Sequence, residues 1–160
     1  MTDTSTGLTN QGMEETGYPV DLDAIPSFLL SHVVHLYHQT LQSRLRSAGL
    51  SPLKMRIIIA LKFRERLTVG ELCNFAIAEQ PTMSRALDSL ERQGLVRRRQ
   101  SEADSRLRVI SLTDSGNRQF ERIYPEVQRL NRAMTDGLSP LAKAEFSAQL
   151  KMAMANLHRC

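Results

Sequence analysis

The spacing of apolar residues along this chain changes at Gly94, and that change limits the folds available to it. Up to Gly94, and again beyond Thr113, apolar residues recur at every third or fourth position, which is the period of one face of an α-helix. Between these two points apolar and polar residues alternate, as they do in a β-strand with one buried face. The sequence therefore predicts a mainly α-helical (α+β) protein with one small β-hairpin.

Two copies of the pentapeptide Gly-Leu-Ser-Pro-Leu, at 49–53 and 137–141, mark helix boundaries. In each copy Gly suits the end of one helix, Ser caps the next helix, and Pro occupies its first position. The first copy ends a long helix over Ala24–Leu45 and begins a short apolar one, and the second copy begins the last helix at Ser139. Residues 1–22 lack apolar periodicity and are predicted to form a disordered or extended arm.

The C-terminal part carries more apolar helix surface than this chain alone is expected to cover. Thr113 is predicted to cap a helix that continues to Met134, and Pro125 inside that helix should kink or interrupt it. Both this helix and the last one have apolar faces with few partners. Pairing with the helix over Ala24–Leu45, across a two-fold axis, is therefore expected.

Two short helices joined by a tight connection are predicted between Thr68 and Gly94. Thr68 and Glu71 have the spacing of a capping box, and Pro81 suits the first turn of the second helix. The apolar face of that second helix consists of Met83, Ala86, Leu87 and Leu90. Its opposite face and first turn display Pro81, Thr82, Ser84, Arg85 and Asp88. Such a pair has the shape of a helix-turn-helix that reads DNA base edges, although ordinary packing in a helical bundle gives the same pattern.

A β-hairpin follows, with strands over Leu95–Gln100 and Arg106–Leu112. It concentrates five arginines against two acidic residues: Arg97, Arg98, Arg99, Arg106 and Arg108 against Glu102 and Asp104. These like charges repel one another until a polyanion neutralises them, and a narrow DNA minor groove is a suitable receptor for such arginines. Asp104 could orient Arg106 through a bidentate pair. The alternative is a solvated hairpin tip with a weak surface salt bridge.

Charge and composition narrow the class of protein. The first 43 residues carry five acidic and no basic residues, so the rest of the chain has a formal charge of +9 although the whole chain has +4. A basic body favours a polyanionic or acidic partner. The sequence has no apolar run long enough for a membrane span and no secretory signal pattern, which predicts a cytoplasmic protein. No catalytic motif, cofactor-binding loop or metal-ligand spacing is present, so neither an enzyme nor a cofactor is expected.

The helical pair and the hairpin together resemble the winged helix-turn-helix of the MarR family of bacterial transcription regulators. The resemblance lies in Ser84-Arg85, Leu87 to Glu91, Gly94-Leu95-Val96, Asp104-x-Arg106 and Leu112-Thr113 with Gly116. It implies four segments: an arm (1–22), an N-terminal dimerisation helix (23–50), the winged domain (51–113) and C-terminal dimerisation helices (114–160). It also implies a homodimer that binds a near-palindromic operator in double-stranded DNA, most simply as a repressor released by a small ligand such as an aromatic acid.

Within that resemblance the wing Arg106 would enter the minor groove and Asp104 would orient it. The second arginine usual beside the aspartate is Ser105 here, so Arg99 or Arg108 is a candidate substitute for a phosphate contact. A ligand cleft would lie between the dimerisation region and the winged domain. Its candidate residues are His35, His38 and Met55, the last at a position that is often aromatic in the family. Zinc binding through His32, His35 and His38 lacks a further ligand nearby, and Cys73 is interpreted as a packed thiol.

Two readings from other classes remain open at the level of sequence. A protein that coats DNA without reading it would need only the basic body. An interaction module that binds a protein partner through the acidic arm and the helices would need no DNA at all.

Overall fold

The computed structural model describes residues 21–100 and 107–159. The predicted N-terminal arm therefore lies almost wholly outside the described residues, as do Asp104 and Arg106 of the hairpin turn. The chain divides into two units, Met1–Tyr37 and His38–Cys160. In the described ranges, no helix combines the length and the hydropathy that a membrane crossing requires.

Six α-helices and one small antiparallel sheet make up the described residues, which confirms the predicted mainly α-helical class. The elements are α1 (Pro26–Leu45), α2 (Pro52–Arg64), β1 (Leu67–Thr68), α3 (Val69–Ala76), α4 (Gln80–Arg92), β2 (Val96–Gln100), β3 (Arg108–Leu112), α5 (Asp114–Met134) and α6 (Pro140–Leu157). Single 3-10 turns at Leu22–Ala24 and Arg46–Ala48 flank α1.

Both Gly-Leu-Ser-Pro-Leu segments form the predicted helix boundaries. Gly49 and Gly137 have backbone φ angles of +65° and +78°, a region that costs glycine little. The hydroxyl of Ser51 accepts a hydrogen bond from the backbone N–H of Lys54, and Ser139 caps α6 in the same way. One local sequence therefore gives the same turn-and-cap structure at two unrelated places in the fold.

Of the kink or interruption predicted at Pro125, the interruption is wrong, because α5 is continuous from Asp114 to Met134. Proline removes one backbone hydrogen bond from a helix. Four large apolar side chains on both sides of it are buried: Phe120, Ile123, Val127 and Leu130. Their burial outweighs the loss of one hydrogen bond, so the helix continues.

The sheet has the strand order β1-β3-β2, and all its pairs are antiparallel. The predicted hairpin is confirmed, with Val96 opposite Leu112 at its base and Gln100 opposite Arg108 toward its tip. The two-residue strand β1 was not predicted. It pairs Leu67 with Ile110, and both side chains are buried. The third strand therefore fixes the base of the hairpin against the helices.

The core of the second unit is mainly aliphatic and contains side chains from all the helices except α6, together with the sheet. Ile57, Ile58, Leu72, Leu87 and Ile110 are fully buried. The amino group of Lys54 donates to the hydroxyl of Ser89 at 2.8 Å, which adds a polar contact between α2 and α4. The helix α6 is different, since it contributes no buried residue in the described chain.

The first unit holds the Leu22–Ala24 turn and the N-terminal part of α1. Its large apolar side chains are exposed: Phe28, Leu29, Leu30, Val33, Val34 and Leu36. These positions are too closely spaced for a single helical stripe. A helix that is apolar on several sides needs more than one neighbour to cover it.

Candidate nucleic-acid interface

The first helix of the predicted helix-turn-helix, α3, begins with the expected capping box. The Thr68 hydroxyl accepts a hydrogen bond from the Glu71 backbone N–H at 3.3 Å, and the Glu71 carboxylate accepts one from the Thr68 backbone N–H at 2.7 Å. The Thr68 hydroxyl also donates to the Glu71 carboxylate at 2.8 Å, and the two hydrogen bonds that this carboxylate accepts from Thr68 lower the pKa of Glu71 below its ordinary value, because they favour the ionised form. The start of α3 is therefore fixed by its own sequence.

The turn between α3 and α4 contains an unusual backbone conformation. Ile77 ends α3 with a φ angle of +53°, and its N–H donates to the carbonyl of Cys73. A β-branched residue in this left-handed region is strained. The Ile77 side chain is 76% exposed, so packing does not repay the strain.

The second helix, α4, is divided sharply into a buried face and an exposed face. The four predicted apolar residues are all buried: Met83, Ala86, Leu87 and Leu90. On the other face Pro81, Thr82 and Arg85 are exposed and Ser84 is half-buried. No hydrogen bond or ion pair joins Arg85 to any described residue. The guanidinium of Arg85 therefore keeps all its donors for an external partner.

The hairpin presents its arginines on two faces. Arg97 and Arg99 lie opposite Ser111 and Val109 on one face, and Arg97 donates to the Ser111 hydroxyl at 3.0 Å. Arg99 and Arg108 are both exposed, and within the described ranges neither forms a hydrogen bond or an ion pair. These two predicted site residues therefore lie toward the ends of β2 and β3 that are away from the base of the hairpin, whereas Asp104 and Arg106 are outside the described residues.

Arg98 behaves differently from its neighbours, and sequence reasoning missed it. Its side chain is only 22% exposed and forms ion pairs with two carboxylates of α4: 2.6 Å to Asp88 Oδ1 and 3.1 Å to Glu91 Oε2. Asp88, predicted as a DNA-binding residue, thus already has a partner on β2. The sequence did contain a signal for this burial, because the alternation along a strand places Arg98 on the same face as the buried Val96.

The base of the hairpin joins α5 through a close backbone approach. The Thr113 hydroxyl donates to the Gly94 carbonyl at 2.6 Å and accepts from the Gly116 N–H at 3.0 Å, which confirms the predicted cap. A Cβ atom on Gly116 would meet the Leu95 carbonyl oxygen at 2.0 Å. Only glycine fits there, so the position of the hairpin base relative to α5 depends on this residue.

The candidate ligand residues differ in their exposure and stay predictions. Met55 is 3% exposed and belongs to the core, whereas His35 is exposed in the first unit and His38 is half-buried in the second. Across the described ranges, no three His, Cys, Asp or Glu side chains are grouped so that they could hold a metal ion. Cys73 is a half-buried free thiol, consistent with its interpretation as a packed side chain.

Comparison with known proteins identifies relatives of this arrangement. The model of the MarR family matches residues 48–107. A MarR-family transcriptional regulator from Silicibacter pomeroyi is 32% identical, with a TM-score of 0.79 over 86% of this chain and 92% of that one. The repressor IacR of Pseudomonas putida is 23% identical over 82% of this chain and 79% of its own length.

A third relative has been crystallised on DNA. The MepR–DNA complex of S. aureus has a TM-score of 0.76 and 21% identity, over 84% of this chain and 98% of that chain. At this identity the likeness concerns the fold alone. The Silicibacter regulator is similar in both sequence and fold, and MarR-family members are transcriptional regulators and not enzymes. This chain belongs to the MarR family of winged helix-turn-helix transcriptional regulators.

Proposed function

We propose that the protein is a homodimeric repressor that binds a near-palindromic operator and leaves it when a small ligand binds. The observation that carries this proposal is the sharp division of α4. One face is anchored in the core, and the opposite face offers unpaired hydrogen-bonding groups beside an arginine-bearing hairpin. Helix-turn-helix proteins place the second helix in the major groove, with its N-terminal residues on the base edges.

In this proposal the first turns of α4 carry the sequence readout. The Arg85 guanidinium can fork onto the O6 and N7 atoms of a guanine, and the hydroxyls of Thr82 and Ser84 can bond bases or phosphates. Pro81 would contact the DNA backbone at the start of the helix. Asp88 stays a predicted DNA-binding residue whose carboxylate is already shared with Arg98.

The hairpin would act as the wing and add contacts outside the major groove. Arg99 and Arg108 are exposed, so they suit phosphate contacts. Arg106, oriented by Asp104, would enter the adjacent minor groove; both residues lie outside the described part of the chain. The charge distribution also supports DNA binding, since the part of the chain beyond residue 43, which contains the hairpin and α4, carries a formal charge of +9.

Dimerisation is supported by apolar surface that the chain leaves uncovered. The exposed large apolar residues of α6 are Leu141, Met152, Met154 and Leu157. Water contact with so many large side chains is unfavourable by about 25 cal/mol for each Å². A second copy of the chain, related by a two-fold axis, would cover α6 and the exposed side chains of α1.

A polar atom on α2 supports binding of an acidic effector. The Arg56 Nε atom is buried and has no hydrogen-bond partner in the described ranges. An unsatisfied buried donor costs about 1–3 kcal/mol, so a ligand carboxylate there would recover that free energy. Benzoate is a suitable probe: it should weaken operator binding by the wild-type protein, and the Arg56→Met variant should not respond. His35, His38 and Met55 stay predictions as ligand residues.

The proposed function is tested by selecting duplexes from a random-sequence pool with the full-length protein, then measuring affinity by fluorescence anisotropy. The selected sequence should have two-fold symmetry and bind one dimer. Arg85→Ala should lose about 1–3 kcal/mol of discrimination at one base pair in each half-site. Uniform loss of affinity for every duplex would instead identify a DNA-coating protein, and absence of binding at low salt would favour a protein partner.

A further inference from the structure

The hairpin and α4 are joined by a short connection and by one group of ion pairs. Only Gln93, Gly94 and Leu95 lie between α4 and β2. Gly94 has a φ angle of +67°, and Leu95 donates to the Leu90 carbonyl at 2.9 Å. This connection holds the base of the hairpin, but it does not reach the strand residues nearer the tip.

The ion pairs join α4 to β2 at a second place, because Asp88 and Glu91, on either side of Leu90, contact Arg98, which lies farther along β2 than Leu95. Asp88 and Glu91 are three residues apart and so lie on the same side of α4. Glu91 contacts Arg98 twice: Oε2 lies 3.1 Å from a guanidinium nitrogen, and Oε1 accepts the Arg98 backbone N–H at 3.3 Å. Charge-assisted hydrogen bonds to both the backbone and the side chain restrict the strand strongly.

The net charge of this cluster is the unexpected feature. Two carboxylates against one guanidinium leave a charge of −1 beside Arg85, on a surface proposed to face DNA. Simple electrostatics would favour neutral residues there, since each carboxylate repels phosphates. Asp88 is itself 56% exposed. A benefit other than charge attraction is therefore needed to account for these two acidic residues.

We infer that Arg98 is a positioning residue that Asp88 and Glu91 hold so that the wing keeps a fixed angle to α4. The inference rests on the proposed function, because the angle sets the distance between the major-groove contacts of Arg85 and the wing contacts of Arg99 and Arg108. A wing fixed before binding loses little conformational freedom on the DNA, which favours the matching operator. Arg98 itself makes no phosphate contact.

This inference predicts that a substitution that makes the protein more positive weakens its binding to the operator, which is the opposite of what charge attraction alone predicts. Glu91→Gln removes a negative charge and keeps an amide oxygen that can accept the Arg98 N–H. Random-sequence DNA should bind this variant as tightly as the wild type or more tightly, because repulsion is reduced. The selected operator should bind about fivefold or more weakly, because the wing loses the Glu91–Arg98 ion pair and is held less firmly at its angle by Asp88 and the remaining hydrogen bond.

Arg98→Gln and Arg99→Gln form a matched pair of tests. The two arginines are neighbours on β2, but Arg98 is paired with two carboxylates and Arg99 is exposed. Arg99→Gln should reduce the slope of log affinity against log salt by about 0.9, the value for one lost phosphate contact. Arg98→Gln should weaken operator binding without changing that slope. Circular dichroism and thermal unfolding of both variants, compared with the wild type, show that the fold is retained.

The outcomes separate the inference from the proposed function. A wild-type protein that selects no sequence would overturn both. A wild type that selects an operator, while Glu91→Gln keeps its full preference for that operator, would overturn the inference alone. A salt slope that falls equally in Arg98→Gln and Arg99→Gln would also overturn it, since Arg98 would then be a direct phosphate contact. If Arg98→Gln unfolds, Glu91→Gln decides the question by itself.

Discussion

The helix α4 has four apolar side chains and α6 has eleven, but among the described residues only those of α4 are buried. Leu87 in α4 is fully buried, whereas Leu141 in α6 is 69% exposed. Both helices begin with a proline in the first turn, so their start signals are alike. The difference lies in their partners: α4 packs on α2, α3 and β2, while α6 has no buried residue in the described part of the chain. The buried face of α4 belongs to the core of its own chain, and under the proposed function we expect the exposed apolar side chains of α6 to lie in the interface between two copies.

The largest effect on the free energy of unfolding is expected when one leucine is truncated in α4, and the same change in α6 is the comparison. Leu87→Ala should lower the free energy of unfolding by about 3 kcal/mol, because it removes a fully buried side chain and leaves a cavity. The loss should be the same at every protein concentration. Chemical denaturation followed by circular dichroism, over a hundredfold range of concentration, measures it.

Leu141→Ala is the matched change in α6. Within a single chain it should alter the free energy of unfolding by no more than about 0.5 kcal/mol, because the side chain is already exposed. In a dimer that covers α6, the loss should appear as a weaker association constant in analytical ultracentrifugation. An unchanged association constant would show that Leu141 lies outside the interface between the two copies.

A smaller effect, of opposite sign, is expected in the turn before α4. Ile77→Gly should raise the free energy of unfolding by about 1 kcal/mol, because glycine accepts the left-handed conformation without strain. Ile77→Ala keeps the Cβ atom and should bring no comparable gain. If both variants are equally stable, backbone strain at this position is not what limits stability. Compared with Leu87→Ala, these variants also show how much less the free energy of unfolding depends on the turn than on the buried face of α4.

The sequence predicted those features whose signals are local. The capping box at Thr68, the serine caps at Ser51 and Ser139 and the glycine ends each depend on a few consecutive residues. The hairpin and the buried face of α4 follow from the periodicity of apolar residues.

The strand β1 was not predicted, because a strand of two residues is too short to show a period. The role of Arg98 escaped because charged side chains are usually exposed, and only the packing of β2 against α4 brings two carboxylates to it. The interruption predicted at Pro125 was wrong because the burial of four apolar side chains on both sides of the proline outweighs a local helix-breaking signal.

The smallest predicted effect is a pH dependence at the start of α3. The hydrogen bonds from Thr68 lower the pKa of Glu71 in the folded protein, so its ionised form stabilises the fold. That contribution is complete above the ordinary pKa of a glutamate, about 4.3, and is lost as the pH falls through the lowered value. Glu71→Gln should therefore have a lower urea midpoint than the wild type at neutral pH, and the gap should close in acid.

Glu121→Gln is the control for this titration, since Glu121 is an exposed glutamate of α5 that forms no hydrogen bond with a described residue. Its difference from the wild type should stay nearly constant over the same pH range. A gap for Glu71→Gln that does not change with pH would mean that the capping box acts through hydrogen bonding alone and not through the charge. Because Glu71 is exposed, solvent screens its charge and the expected gap is small. The stability of the winged domain then depends mainly on the buried face of α4, and the caps mainly determine where its helices begin.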